Sequence, residues 1–180
     1  MRLDREQFLA DRRYNVLFVC TGNSCRSIIG ESLINYWGAH QFRGYSAGSS
    51  PKGKVHPLTL ELLTDMHLPT DDLRSKSWTE FSAQGARPLD FVFTVCDNAA
   101  REVPPSWPGA PVRAHWGVDD PAAVNFTEVE MWLAFSQAFK VLETRVKLFA
   151  NLQIATLTPL NLQAWADAIG NAKPDDTDGV

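Results

Sequence analysis

Short apolar runs alternate with polar, helix-like stretches along most of the chain. Asn15 to Cys20 (NVLFVC) is β-branched, apolar and too short for a buried helix, which predicts a strand covered on both faces. Beyond a glycine-containing loop, Ile29, Leu33 and Trp37 fall at i, i+4 and i+8 and predict one helical face that stops at Gly38. Arg43 to Ser49 (RGYSAGS) predicts a second, weaker strand, and Pro57 then stands at the first turn of a helix carrying Leu58, Leu62 and Met66. Phe91 to Val95 and Val112 to Trp116 predict a third and a fourth strand, joined by the connector VPPSWPGAP, whose prolines exclude a helix. From Thr127 the period lengthens. Thr127 and Glu130 form a capping box, and Val129, Trp132, Phe135, Phe139, Leu142, Val146 and Phe149 make the seam of a long helix that packs on the sheet. Spaced apolar residues from Gln153 to Ile169 predict an added helix. This order predicts an α/β fold, a central parallel four-stranded sheet with helices on both faces and ligands at the carboxyl ends of its strands.

Composition narrows the partners. At 180 residues, 44% of them hydrophobic, one domain can bury most of the surface that the unfolded chain exposes. A formal charge of −4 leaves no basic stripe to neutralise many phosphates, so neither nucleic acid nor an anionic membrane is an expected partner. No apolar run approaches the roughly 18 residues of a membrane span, and the charged first thirteen residues lack an apolar export core, which predicts a cytoplasmic protein. Three cysteines do not make a disulfide framework, so the thiols are expected to be reduced at rest. Residues 1–13 read as an N-terminal extension, 14–150 as the main domain, and 151–180 as a helical extension with a flexible acidic tail, AKPDDTDGV.

The chemistry concentrates between the first strand and the first helix, in VCTGNSCRS. Backbone N–H groups of a tight loop feeding a helix N-terminus converge where the helix dipole favours negative charge, so Thr21, Gly22, Asn23, Ser24, Cys25 and Arg26 are expected to cradle an oxyanion. Arg26 adds a planar bidentate fork. Cys20, at the base, is placed to attack the central atom, with a pKa that the loop is expected to lower. Ser27 can assist the Cys20 sulfur, cap the helix, or do both, and Asn23 tolerates the left-handed geometry that such a loop needs. Zinc is not expected, because His40, His56, His67 and His115 are scattered, and four residues separate Cys20 from Cys25 where a dithiol motif has two. A single glycine without Gly-Lys-Ser/Thr excludes a Walker-type loop. Cys25 reads as a packing residue.

The stretch VLFVCTGNSCRSIIGESL resembles the low-molecular-weight protein tyrosine phosphatase family, and more closely its arsenate reductase branch. The resemblance covers about residues 15–149 and implies a three-layer, phosphatase I-like (flavodoxin-like), doubly wound fold for the catalytic domain. In HWGVDDPA, the family's aspartate before proline corresponds to Asp120, implied to be the general acid, with Asp119 a capping or orienting neighbour. In VFTVCDNAA, Cys96 corresponds to the second redox thiol, which separates a reductase from a phosphatase. Glu31 and Ser46 match positions that in part of the family tie the loop to its neighbours through a cation, and Lys76 can place an ammonium there instead. The thioredoxin-coupled form has a further cysteine beyond Cys96, where this chain has Val103, Pro104 and Pro105, which leaves three routes open: direct reduction of a Cys20–Cys96 disulfide, attack by a small-molecule thiol on the arsenylated enzyme, or Cys25 as a third thiol.

The resemblance therefore implies thiol-dependent reduction of arsenate to arsenite through a Cys20 arseno-enzyme intermediate. No bound cofactor or metal is expected. The partners are an arsenate- or phosphate-like oxyanion and an external thiol reductant: thioredoxin, glutathione with glutaredoxin, or mycothiol. Two readings compete. A tyrosine phosphatase of the same family would hydrolyse a phospho-Cys20 intermediate, although Ala122 and Ala123 stand where such phosphatases usually place an aromatic. A non-catalytic oxyanion or redox sensor would bind without turnover.

Overall fold

The computed structural model describes residues 13–123 and 127–174; the predicted acidic tail from Asp175 and the N-terminal extension before Arg13 lie outside them. Four strands, β1 (Tyr14–Cys20), β2 (Phe42–Gly48), β3 (Phe91–Thr94) and β4 (Val112–His115), form one all-parallel sheet in the order β2-β1-β3-β4. The helices are α1 (Arg26–Trp37), α2 (Pro57–Asp65), α3 (Asp97–Arg101), α4 (Glu128–Ala150) and α5 (Pro159–Ile169), with 3-10 turns at Trp78–Phe81 and Ile154–Thr156. The fold is α/β, as the alternating pattern predicts.

Strand β1 is buried from Val16 through Cys20, because both of its faces are covered. On the face under α4, Phe18, Phe93, Trp116 and Phe149 make one aromatic cluster in which the Phe93 and Trp116 rings stack 4.0 Å apart. On the opposite face Tyr45 of β2 meets Phe81 of the first 3-10 turn at 5.7 Å. Burying each such aromatic contributes roughly 1.5–3 kcal/mol, so this core holds the carboxyl ends of β1, β3 and β4 in fixed register.

Helix α4 opens with the predicted capping box, in which the Thr127 side chain accepts from the Glu130 N–H and the Glu130 carboxylate accepts from the Thr127 N–H. The structure corrects three local expectations. Trp37 is not a core residue: the buried stripe of α1 runs through Ile28, Ile29, Leu33 and Ile34, and the Trp37 ring lies at the rim with the Lys147 ammonium 4.3 Å above it. Val129 sits exposed in the first turn of α4, ahead of the part that meets the sheet. No single helix runs from Gln153 to Ile169. Pro159, which lacks an N–H and crowds the turn before it, instead starts α5, and the Thr158 side chain caps it at the Asn161 N–H.

Helix α5 lies along β4, the edge strand. Trp116 Nε1 donates to Ala166 O at 2.9 Å and Gln163 Nε2 to Arg113 O at 2.7 Å. The added segment thereby covers an edge that would otherwise present unpaired backbone groups.

Candidate active site

Residues 20–26 run from the end of β1 into the first turn of α1. Their carbonyls are drawn outward: Ser49 N–H donates to Cys20 O, Ser50 N–H to Thr21 O, Lys52 N–H to Gly22 O and His56 N–H to Ser24 O, at 2.9–3.3 Å. With the carbonyls turned out, the amides face the centre of the loop, and the Asn23 N–H donates to Cys20 Sγ at 3.1 Å. Asn23 holds the left-handed conformation that the turn needs, with φ 42°. The N-cap of α1, Cys25, makes no side-chain capping bond, so the positive end of the helix faces the same centre. Gly48 of β2 lies under the loop, and a Cβ there would come within 2.5 Å of Thr21 O.

Arg26 links the loop to the chain beyond β4. Its Nη1 donates to Val118 O at 2.9 Å and its Nη2 lies 3.4 Å from Asp120 Oδ1. Asp120 is half exposed and itself forms the turn, accepting the Ala122 N–H at 3.2 Å. The capping bond expected of Asp119 is made in this turn by Asp120.

Cys20 is 3% exposed, with Ser27 Oγ 2.9 Å from its sulfur. Burial pushes its thiol above the ordinary value, opposed by the Ser27 hydroxyl and by the Ser27 and Asn23 amides. This corrects the expectation of a lowered pKa, since desolvating the thiolate outweighs its hydrogen bonds. Cys25 is pushed up to about 12 by burial, with the neighbouring Cys20 and Asp120 adding to it, and stays a thiol at neutral pH.

Beneath the loop lies a buried polar chain. Asn23 Nδ2 donates to Ser27 Oγ and Ser46 Oγ, both at 2.9 Å, and its Oδ1 accepts the Lys76 N–H at 2.7 Å. Ser46 Oγ donates to Glu31 Oε2 in a short hydrogen bond. The Lys76 ammonium reaches Glu31 Oε2 at 3.2 Å and Ser46 Oγ at 3.3 Å. Lys76 is only 7% exposed, so it is no surface charge. Burial pushes the Glu31 carboxyl up, and Lys76 is the foremost influence pulling it back.

Cys96 ends the segment after β3 and is likewise 3% exposed. Thr21 Oγ1, in the loop, lies 3.5 Å from its sulfur, which also accepts the Ala99 N–H of α3 at 3.4 Å. Two buried thiols therefore share one edge of the sheet. Beside Cys96 a cavity of about 570 Å³ is lined by Arg26, Asp97, His115, Asp120 and Arg145 among others. Among the described residues no group of three or more His, Cys, Asp or Glu side chains could hold a metal ion.

Three of the residues on that wall are not among those the sequence points to. His115 bridges Thr94 Oγ1 at 2.9 Å and Asp97 Oδ1 at 3.0 Å, and Asp97 directly follows Cys96. The signal for the pair was their position at neighbouring strand ends. Arg145 is 7% exposed in the middle of the apolar seam of α4, between Leu142 and Phe149, and a charge at a seam position was the signal for it.

Residues 15–158 match the model of the low molecular weight phosphotyrosine protein phosphatase family. An arsenate reductase of Shouchella clausii is 33% identical over 135 residues, which cover 75% of this chain and 94% of that protein. Among solved structures, an arsenate reductase from Archaeoglobus fulgidus superposes with a TM-score of 0.62 at 23% identity, over 76% of this chain and 99% of the other. A thioredoxin-dependent arsenate reductase of Corynebacterium glutamicum superposes with a TM-score of 0.60 at 24% identity, over 84% of this chain and 67% of the other.

Proposed function

The chain belongs to the low molecular weight phosphotyrosine protein phosphatase family, and we propose that it uses the family's anion loop for a reduction, as a cytoplasmic, thiol-dependent arsenate reductase. The observation that carries the proposal is the second buried thiol, Cys96, held at the lip of the loop by Thr21. Hydrolysis of a phosphate ester needs one thiol. Reduction of an oxyanion needs a further pair of electrons, and a neighbouring thiol supplies it.

In the first step arsenate occupies the ring of loop amides, with the Arg26 fork on its oxygens. Cys20 attacks arsenic, Asp120 protonates the departing oxygen, and the thiol's proton leaves with it as water, giving a Cys20 sulfur–arsenic bond. The Ser27 hydroxyl, 2.9 Å from the sulfur, steadies the thiolate. In the second step the Cys96 sulfur attacks Cys20 Sγ. The sulfur–arsenic pair passes to arsenic, which leaves as arsenite, and a Cys20–Cys96 disulfide forms with loss of the Cys96 proton. Two equivalents of an external thiol then restore both cysteines. The Asn23–Ser46–Glu31–Lys76 chain keeps the loop in its anion-binding shape throughout. Residues 14–150 act as the catalytic domain, with 151–180 as an added segment.

The test is arsenite production from arsenate with thioredoxin, glutathione with glutaredoxin, or mycothiol as reductant, beside hydrolysis of an aryl phosphate, for the wild type, Cys20→Ser and Cys96→Ser. Both variants are expected to lose arsenite production with every reductant, and Cys20→Ser alone to lose any ester hydrolysis. Full turnover by Cys96→Ser removes the second-thiol role. Brisk ester cleavage by the wild type without arsenite replaces the reductase with a phosphatase.

A further inference from the structure

Arg145 is a buried cation whose acceptors, among the described residues, are all backbone carbonyls. Nη1 donates to Trp116 O at 2.9 Å and to Gly117 O at 3.0 Å, and Nε donates to Ala172 O at 3.2 Å. Among the described residues no carboxylate lies within salt-bridge distance of it, and burial pushes its pKa down. A guanidinium taken out of water on such terms is costly, so its place in the apolar seam of α4 calls for a role other than stability.

Its three acceptors belong to two segments far apart in the chain, which also meet where Trp116 Nε1 donates to Ala166 O. Trp116 and Gly117 begin the loop that carries Asp120, and Ala172 follows α5, beyond residues 15–158 that the family model matches. Arg26 grips the same loop one residue further along, at Val118 O. The loop is therefore pinned at three successive carbonyls, Trp116, Gly117 and Val118, by two arginines, just before the acid. The added segment approaches this point closely. A Cβ on Gly170 would lie 2.5 Å from His115 O and 2.9 Å from the Trp116 ring, and Gly170, Asn171 and Lys173 line the cavity beside Cys96.

We propose that Arg145 is a positioning residue for the general acid, and that the C-terminal segment after residue 158 completes the active site by docking onto it. The proposal rests on the reading of Asp120 as the acid. In this role Arg145 acts through the loop backbone, setting where the Asp120 carboxylate stands over the loop. A misplacement of about 1 Å at this point costs up to about a hundredfold in rate.

The test is a double-mutant cycle on arsenite production, with Arg145→Met and Asp120→Asn alone and combined, and inhibition by inorganic phosphate measured on each. Arg145→Met is expected to lower kcat by about tenfold to a hundredfold while KM for arsenate and the inhibition constant for phosphate stay within about threefold, because the anion seat is built by the loop and Arg26. In the Asp120→Asn background it is expected to cost less than about twofold further, the sign of two residues acting as one unit. Arg145→Lys, which keeps the charge and part of the donor set, is expected to recover part of the loss. Gly170→Ala, which pushes the extension away from β4 without altering any reacting group, is expected to lower kcat in the same direction. Two effects that simply add, or wild-type kcat in both Arg145→Met and Gly170→Ala, overturn the positioning role while leaving Asp120 as the acid. Wild-type kcat in Asp120→Asn overturns the acid assignment and this inference together. Should Arg145→Met fail to fold, Arg145→Lys and Gly170→Ala carry the same cycle.

Discussion

At Cys20 burial and hydrogen bonding pull the thiol in opposite directions, and burial prevails. The pH dependence of its reactivity follows from that balance. Alkylation of Cys20 by iodoacetamide is expected to rise with pH to a midpoint above the ordinary thiol value. Ser27→Ala is expected to move the midpoint higher still and to slow alkylation at pH 7 by about tenfold to a hundredfold, the loss of a charge-assisted hydrogen bond worth roughly 1.5–3 kcal/mol. A midpoint that falls in Ser27→Ala contradicts the arrangement. The same balance governs Glu31, whose carboxyl is raised by burial and held back foremost by Lys76. A carboxyl raised in the folded state favours folding while protonated and penalises it once pH climbs through its folded pKa. Lys76→Met is thus expected to lose about 3–5 kcal/mol near pH 8, and visibly less as pH falls and Glu31 protonates. Thermal melting of both proteins at pH 8 and pH 5.5 measures this, and an equal loss at both values excludes a charged Glu31 as the cause.

The elements matter through what they bring within reach. Helix α1 leaves its N-terminus uncapped by a side chain, and that end faces the site of the anion. Strand β2 supplies Gly48, over which the loop closes with no room for a Cβ. Gly48→Ala is expected to leave the sheet intact and to raise the phosphate inhibition constant and the arsenate KM by about tenfold or more, since a backbone shift of a few tenths of an ångström misaligns several amides together. Competition of phosphate against arsenate reads this directly; an unchanged constant means that the loop does not need that close approach. The start of α4 and the end of β1 were legible beforehand, because a capping box and a β-branched run are local signals. Trp37 and Val129 misled because periodicity marks the apolar face of a helix and not how far the neighbouring sheet extends along it.

For the molecule as a whole, the aromatic cluster of Phe18, Phe93, Trp116 and Phe149 joins the sheet to α4. Phe149→Ala is expected to cost about 3–5 kcal/mol. At about 2–4 °C per kcal/mol for a chain of this length, the melting temperature should drop by roughly 6–20 °C, while the arsenate KM at 15 °C stays within about twofold. A large change in KM without a change in melting would place Phe149 in the site rather than under it. The strand order β2-β1-β3-β4 sets β3 directly beside β1, and that adjacency brings Cys96 to the loop.

By itself the sequence determined whatever depends on neighbours along the chain: the strands and helix starts, and the loop in which Cys20, Arg26 and Ser27 stand within eight consecutive residues. Spacing decides such features, since a strand end, a tight turn and a helix N-terminus impose their geometry within a few bonds. Through its resemblance to a family, the sequence also pointed to Asp120, Cys96, Glu31, Ser46 and Lys76. Only the tertiary structure decided that Lys76 is buried against Glu31, that the thiol of Cys20 is raised rather than lowered, and that Arg145 ties the loop before Asp120 to the C-terminal segment. Each of these depends on desolvation or on contacts between residues far apart in the chain, and both are set by which elements pack together.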